Sequence, residues 1–83
     1  MEGKRIGEII HYFGEIKVGI IKLTSPLEAG EKIRVVGGED TDFTQKVASM
    51  EVEHEKIKKA KKGQEVGIKL KEKVREGYEV YKI

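Results

Sequence analysis

The apolar residues of this chain occur only in short runs that alternate with polar residues or glycine. Val66, Ile68 and Leu70, for example, alternate with Gly67 and Lys69. A period of two places apolar side chains on one face of a β-strand, whereas a packed helix needs a period of about 3.6 residues. Many of the apolar residues are β-branched, which also favours strands. The pattern predicts an all-β protein without a long helix.

Six strands are expected, each bounded by turn residues. Most of the boundaries are glycines, but one is Thr24-Ser25-Pro26, where the proline cannot donate a ladder hydrogen bond. Three strands follow a glycine that lies three residues before a β-branched residue, as in Gly63-Gln64-Glu65-Val66. The expected strands are residues 4–12, 16–23, 31–36, 43–52, 66–70 and 78–83.

Two of the expected strands change phase part-way along. The change falls between Ile20 and Ile21 in the second strand, and near Ala48-Ser49 in the long central strand. A phase change inside a strand usually indicates a β-bulge or a strong bend, which the corners of a small barrel require. Closure would also remove exposed sheet edges. We therefore predict a small closed β-barrel of six to seven strands, formed by residues 1–83 as one domain.

The order of the turns and strands along the chain also suggests a family. The segments concerned are Ile6-Gly7-Glu8-Ile9, Leu27-Glu28-Ala29-Gly30-Glu31-Lys32-Ile33, residues 47–52, residues 60–68 and Arg75-Glu76-Gly77-Tyr78-Glu79-Val80. Their ordered series resembles the second, β-barrel domain of the translational GTPases of the elongation factor Tu class. Similar barrels stand alone as small elongation-factor-like proteins, and one is appended to collagenase-like peptidases. Glu31, Gln64 and Tyr78 stand where the family often has aspartate.

The resemblance implies a translation-factor domain II-like binding module. In that family the barrel helps to hold aminoacyl-tRNA ends, ribosomal RNA or neighbouring domains. GTP binding is not expected, because Gly3-Lys4-Arg5 lacks the upstream glycine and the following Ser or Thr of a phosphate-binding loop.

The charges are divided along the chain, and five lysines fall within residues 56–62. Residues 1–55 carry seven Lys/Arg against eleven Asp/Glu, whereas residues 56–83 carry ten against four, so −4 and +6 sum to the net +2. Such a cluster could follow a phosphate backbone. The alternative is a solvated turn that nearby glutamates balance. The candidate nucleic-acid contacts are Lys56, Lys58, Lys59, Lys61 and Lys62.

Other site chemistry has little support in the sequence. The chain has no cysteine, and His11 and His54 lack the partner spacing of a metal site. The acidic loop at residues 39–42 is shorter than a calcium loop, and Ser25 and Ser49 have no recognisable triad partners. We expect a non-enzymatic protein without cofactors.

The composition and the lack of long apolar runs predict the cellular location of the protein. No apolar run approaches the roughly 18 residues of a membrane span, and there is no signal-peptide pattern. Without cysteine, and with 39% charged residues rich in Lys and Glu, the chain is typical of a cytoplasmic protein from a heat-adapted source. We expect a monomer or weak self-association.

Two functions remain open from the sequence. The main hypothesis is a translation-factor-like module that contacts RNA or the translation machinery through the lysine-rich turn. The alternative is a protein-interaction barrel that docks on a partner such as a peptidase or GTPase. In that case an apolar rim of Ile21, Leu23 and Leu27 is the predicted contact.

Overall fold

The secondary structure consists of β-strands joined by turns. A computed structural model of the chain describes residues 3–83, and no helix in that range is long and apolar enough to cross a membrane. The all-β prediction is confirmed. The strands are β1 (Lys4–Phe13), β2 (Val18–Leu23), β3 (Leu27–Glu28), β4 (Lys32–Gly37), β5 (Thr41–Lys46), β6 (Met50–Val52), β7 (Glu55–Ile57), β8 (Lys59–Ala60), β9 (Glu65–Lys69) and β10 (Glu79–Lys82).

Eight of the strands form one antiparallel sheet, which is open. Their order is β5-β4-β10-β1-β2-β9-β6-β7, and β3 pairs with β8 in a separate two-stranded sheet. Within residues 3–83, β5 and β7 end the large sheet and do not pair with each other. The predicted closed barrel of six to seven strands is therefore wrong.

One side chain links β5 to the end of β9, although these two strands are not neighbours in the sheet. Nε2 of Gln45, in β5, donates a hydrogen bond of 2.9 Å to the carbonyl oxygen of Lys69. Its Oε1 accepts one of 2.9 Å from the backbone N–H of Lys71. The Gln45 amide thus ties one end strand of the sheet to the end of β9 without a backbone ladder.

The segment predicted as one long central strand is two strands at different places. β5 lies beside β4, whereas β6 lies beside β9. Val47 is still paired with the residues just before β4. Its N–H donates a hydrogen bond of 2.9 Å to the carbonyl oxygen of Glu31, and its carbonyl oxygen accepts one of 2.7 Å from the N–H of Gly30. The chain then crosses to β6 through Ala48-Ser49. The phase change there marks this break, and the predicted bulge is wrong.

The phase change in β2 has another cause. β2 alternates regularly, with Gly19, Ile21 and Leu23 buried, and with Val18 and Ile20 half-buried between them. Both faces of this strand are therefore apolar, and it pairs with β9 without a register shift. The bulge predicted within this strand is also wrong.

The bulges lie in the neighbouring strand, β1. Its register against β2 shifts between Ile9 and His11, and its register against β10 shifts after Arg5. Each shift places an extra residue in β1. As a result Ile6 and Ile9 are both buried in the core, whereas Ile10 is half-buried on the outward side.

The core lies on one face of the sheet and is apolar. No polar or charged residue is buried among residues 3–83. Ile21, Leu23 and Leu27 belong to this core, with exposed fractions of 0%, 1% and 0%. They cannot form an exposed contact, so the predicted docking rim is wrong.

The first and last strands are neighbours. β1 pairs with β10 so that Lys4 lies opposite Lys82. The N–H of Ile83 donates a hydrogen bond of 3.1 Å to the oxygen of Lys32, at the start of β4. The two ends of the described segment therefore leave the sheet side by side.

Candidate functional site

The five lysines predicted to contact nucleic acid are exposed but belong to different local structures. Lys56 lies in β7 and Lys59 in β8, while the others lie in the adjoining turns. Within residues 3–83 the only ion pair of the cluster joins Nζ of Lys59 to Oε2 of Glu28, at 3.7 Å. Nucleic-acid binding stays a prediction for Lys56, Lys58, Lys59, Lys61 and Lys62.

A shallow hollow of about 480 Å³ lies beside three of these lysines. No aromatic side chain lines it, so it offers no surface on which a base could stack. The lining residues are Glu28, Ala29, Ala48, Ser49, Lys56, Ile57, Lys58 and Lys59.

A larger groove, of about 750 Å³, lies on the outward face of β1, β2, β9 and β6. That volume is in the range of ligand-binding clefts, which is about 300–1,000 Å³. We call it the outer groove. Its apolar lining comes from three strands and one turn, and consists of Ile10, Phe13, Ile16, Val18, Ile20 and Val52.

The floor of the outer groove is a glycine. Gly67 in β9 lies opposite Ile20 in β2 and opposite Glu51 in β6. A Cβ atom at Gly67 would lie only 3.3 Å from Cγ1 of Val18 and 3.4 Å from Cδ1 of Ile20. The missing side chain lets Val18 and Ile20 pack closely over the β9 backbone.

The open end of the groove exposes large apolar side chains. Phe13, the last residue of β1, is 45% exposed, and Ile16, within the β1–β2 turn, is 60% exposed. The Phe13 ring packs edge-on against the His11 ring, with centroids 4.4 Å apart. Exposed apolar side chains that cluster around a groove are typical of an interaction surface.

The charged residues that line the groove are acidic. Glu51, Glu53 and Glu65 line it, and no lysine or arginine does, although the chain has 17 Lys/Arg against 15 Asp/Glu. Glu65 lies 3.9 Å from Nζ of Lys22. Glu51 and Glu53 form no ion pair with any other described residue.

The β6–β7 turn at the rim of the groove has an unusual backbone. Its two central residues, Glu53 and His54, have φ values of +52° and +69°. Two-residue hairpin turns with positive φ at both positions strongly favour Asn-Gly, because other side chains are strained there. The rim of the groove is therefore held in place by a strained turn.

One carboxylate of the acidic loop at residues 39–42, that of Asp42, is paired with an arginine. Nε and Nη2 of Arg34 donate hydrogen bonds of 2.8 and 2.6 Å to the two carboxylate oxygens of Asp42. This side-chain hydrogen bond, helped by the positive charge of Arg34, lowers the pKa of Asp42. No three acidic, His or Cys residues within the described range converge as metal ligands.

Sequence reasoning missed the outer groove, although a signal was present. The run Val18–Leu23 places apolar residues on both faces of one strand. One face of an antiparallel strand is normally polar and solvated. An apolar pattern on both faces of a strand indicates either that both faces are buried or that one of them is an interaction surface.

Comparison with known sequences relates the chain to peptidases. No protein-family model matches it. It is 36% identical over 76 residues to an uncharacterised protease of Methanocaldococcus jannaschii, a match that covers 92% of this chain and 19% of the relative. It is 33% identical over 78 residues to a collagenase of Porphyromonas gingivalis, covering 93% of this chain and 22% of the relative. The chain thus spans about a fifth of the length of these relatives.

Comparison of structures identifies the fold. Two crystal structures of the C-terminal domain of a putative U32 peptidase from Geobacillus thermoleovorans match it. One, a selenomethionine variant, has a TM-score of 0.89 and 19% identity, over 94% of this chain and 98% of that one. The other has a TM-score of 0.88 and 20% identity, and the match covers 99% of this chain and 92% of that one.

These matches support only part of the resemblance that the sequence predicts. The similarity to the domain appended to collagenase-like peptidases is confirmed, whereas a relation to elongation factor Tu is not shown. The chain has the fold of the C-terminal domain of a U32 peptidase.

Proposed function

We propose that this chain is a non-catalytic protein-interaction domain of the collagenase-like peptidases, and that it docks on the catalytic part of such an enzyme. The observation that carries the proposal is the coverage of the matches. They span 92–93% of this chain but about a fifth of each peptidase, so most of the peptidase lies outside the shared segment.

The chemistry of the outer groove supports docking rather than catalysis. Hydrolysis of a peptide bond needs a nucleophile or an activated water with a base in reach. The groove is lined mainly by apolar side chains, with three glutamates, two histidines and Gln64, and it has no Ser, Thr or Cys nucleophile. Its glutamates and histidines could act as bases, but no three His, Asp, Glu or Cys residues in the described range converge as ligands for a metal that would activate a water. An apolar surface with a charged rim is instead the usual anatomy of a protein interface.

The translation-factor hypothesis has no support from the relatives or from the groove. It rests on the resemblance to the elongation factor Tu barrel, which is not shown, and on the five lysines of residues 56–62, which are exposed. The binding experiment therefore also measures whether the chain binds RNA.

The test is a binding measurement with a truncated relative. The M. jannaschii protease, with its matching segment deleted, is titrated with this chain by calorimetry. We expect saturable binding with a Kd in the range of about 1–100 μM, since interfaces between domains resemble transient complexes. The full-length protease is the matched control, because its own segment should occupy the docking position and prevent binding.

Two results would count against the proposal. One is the absence of binding to the truncated protease at the highest soluble concentrations. The other is equal binding to the full-length and truncated forms. Salt-sensitive binding to RNA in the same assay would revive the nucleic-acid hypothesis.

A further inference from the structure

We infer that the outer groove is the docking surface of this chain, and that it takes a polypeptide segment whose apolar side chains are flanked by lysine or arginine. The inference rests on the proposed function, since the segment would belong to the peptidase on which the chain docks. Three independent features of the groove carry it: its apolar area, the sign of its charge, and its strained rim.

The apolar area is located where the fold does not need it. Val18 and Ile20 alternate with the buried residues of β2, so the core is already complete on the opposite face. Phe13 and Ile16 extend the patch into solvent at 45% and 60% exposure. An aromatic and several aliphatic side chains around one cleft supply the central contact that interfaces use.

The charge around this apolar area selects the partner. A chain with more basic than acidic residues has no lysine or arginine in the groove lining, whereas three glutamates line it. Glu51 and Glu53 have no ion-pair partner among residues 3–83, so their charges are available to a partner. Complementary charge favours a segment with cationic neighbours and disfavours an acidic one.

The strained rim is the third feature. Both central residues of the β6–β7 turn, Glu53 and His54, have positive φ and line the groove. Backbone strain of this kind is concentrated at binding sites, where the function of a side chain can outweigh the energetic cost of the strain. A glutamate at a turn position that Asn or Gly would fit with less strain has a function if its carboxylate meets the partner.

The floor of the groove suits an apolar side chain. Because Gly67 has no Cβ, the side chains of Val18 and Ile20 pack over the β9 backbone at this point and form an apolar surface. An apolar side chain of the partner would rest on Val18 and Ile20 and lose contact with water. A larger residue at position 67 would occupy the same space.

The direct test uses synthetic peptides, so that it does not depend on any particular peptidase. A short fluorescent peptide of alternating leucine and lysine is titrated with the wild-type chain, and anisotropy is measured. The matched control replaces every lysine with glutamate. We expect the lysine peptide to bind at least tenfold more tightly, more weakly as salt rises, and to shift the NMR resonances of Val18, Ile20 and Gly67.

Variants locate the binding on the chain. The double variant Phe13→Ala, Ile16→Ala removes exposed apolar area, and we expect it to weaken binding of the lysine peptide at least tenfold. Glu51→Lys with Glu53→Lys should reverse the preference between the two peptides. Lys58→Glu with Lys59→Glu, in the lysine-rich turn outside the groove, should leave the affinity within about twofold.

Several outcomes would overturn the inference. Equal binding of the two peptides, or loss of binding only in the Lys58 and Lys59 variant, would show that the groove is not the site. So would concentration-dependent dimerisation that the groove variants abolish while the lysine peptide fails to bind. Circular dichroism of each variant confirms that it is folded.

The inference and the proposed function fail separately. If the truncated protease binds wild-type and groove variants equally, docking stands and the groove inference falls. If the lysine peptide binds through the groove while the truncated protease does not bind, the groove inference stands as a site for cationic peptides and the peptidase proposal falls.

Discussion

β2 has apolar side chains on both faces, but only one face is fully buried in the core. Ile21 and Leu23 are fully buried in the core, where they contact residues from across the sheet. Val18 and Ile20, on the opposite face of the same strand, are half-buried and line the outer groove. Similar side chains are thus fully buried on one face and line an open groove on the other.

The outward face of the sheet is not apolar everywhere. On β4 and β5 it carries the ion pair of Arg34 and Asp42, and Nε of Arg5 on β1 lies 2.8 Å from the carboxylate of Glu79 on β10. The outer groove lies on β1, β2, β9 and β6 instead. The contrast argues that the groove is a specific feature, because a polar surface was accessible to the same fold a few strands away.

The strongest test of the contrast compares neighbouring isoleucines. Ile21→Ala removes a fully buried side chain and should lower the free energy of unfolding by about 2–4 kcal/mol. Ile20→Ala removes a half-buried side chain that faces outward and should cost less than about 1 kcal/mol. Urea unfolding measures both. Equal losses of unfolding free energy would mean that the two faces of β2 contribute equally to stability, which would contradict the distinction between them.

A smaller effect is expected at the strained turn. Glu53→Asn with His54→Gly relaxes two residues at positive φ and should raise the free energy of unfolding by about 1 kcal/mol. Because it also removes a rim carboxylate, it should weaken binding of the lysine peptide.

The matched control for that turn is Lys17→Gly. Lys17 also has positive φ, at +58°, in the β1–β2 turn, but it does not line the groove. We expect a gain in thermal stability with no loss of peptide affinity. If both variants lose affinity, the effect comes from turn flexibility and not from the rim carboxylate.

The smallest effect concerns the polar part of the outward face. Asp42 has a lowered pKa in the folded protein because Arg34 donates hydrogen bonds to its carboxylate. The stabilisation is therefore fully present above the unfolded pKa of about 3.9 and is lost as the pH falls through the lower folded value. Asp42→Asn should remove that dependence. The difference between wild-type and variant melting temperatures, followed from neutral to acid pH, measures it; a constant difference would contradict it.

Much of the strand content could be predicted from alternation alone. The runs around Val66–Leu70 and Tyr78–Ile83 correspond to β9 and β10, because one face of each is buried and the pattern records burial. The short strands β3, β7 and β8 were not predicted. They have two or three residues each, too few for a period to show.

Sheet closure and the groove could not be predicted, for related reasons. A phase change in sequence can come from a bulge, from a chain crossing as at Ala48-Ser49, or from a strand with two apolar faces, as in β2. Only the pairing of strands distinguishes these three cases. Whether the end strands meet is likewise a matter of hydrogen bonds that the side-chain pattern does not record.

The adjacency of Lys4 and Lys82 bears on how such a unit moves between proteins. A segment whose entry and exit points lie on neighbouring strands can be joined to a larger chain through a single short junction, or removed from it, without opening its hydrogen-bonded sheet. A sheet of this kind can be carried within or at the end of a longer polypeptide with its strand pairing unchanged.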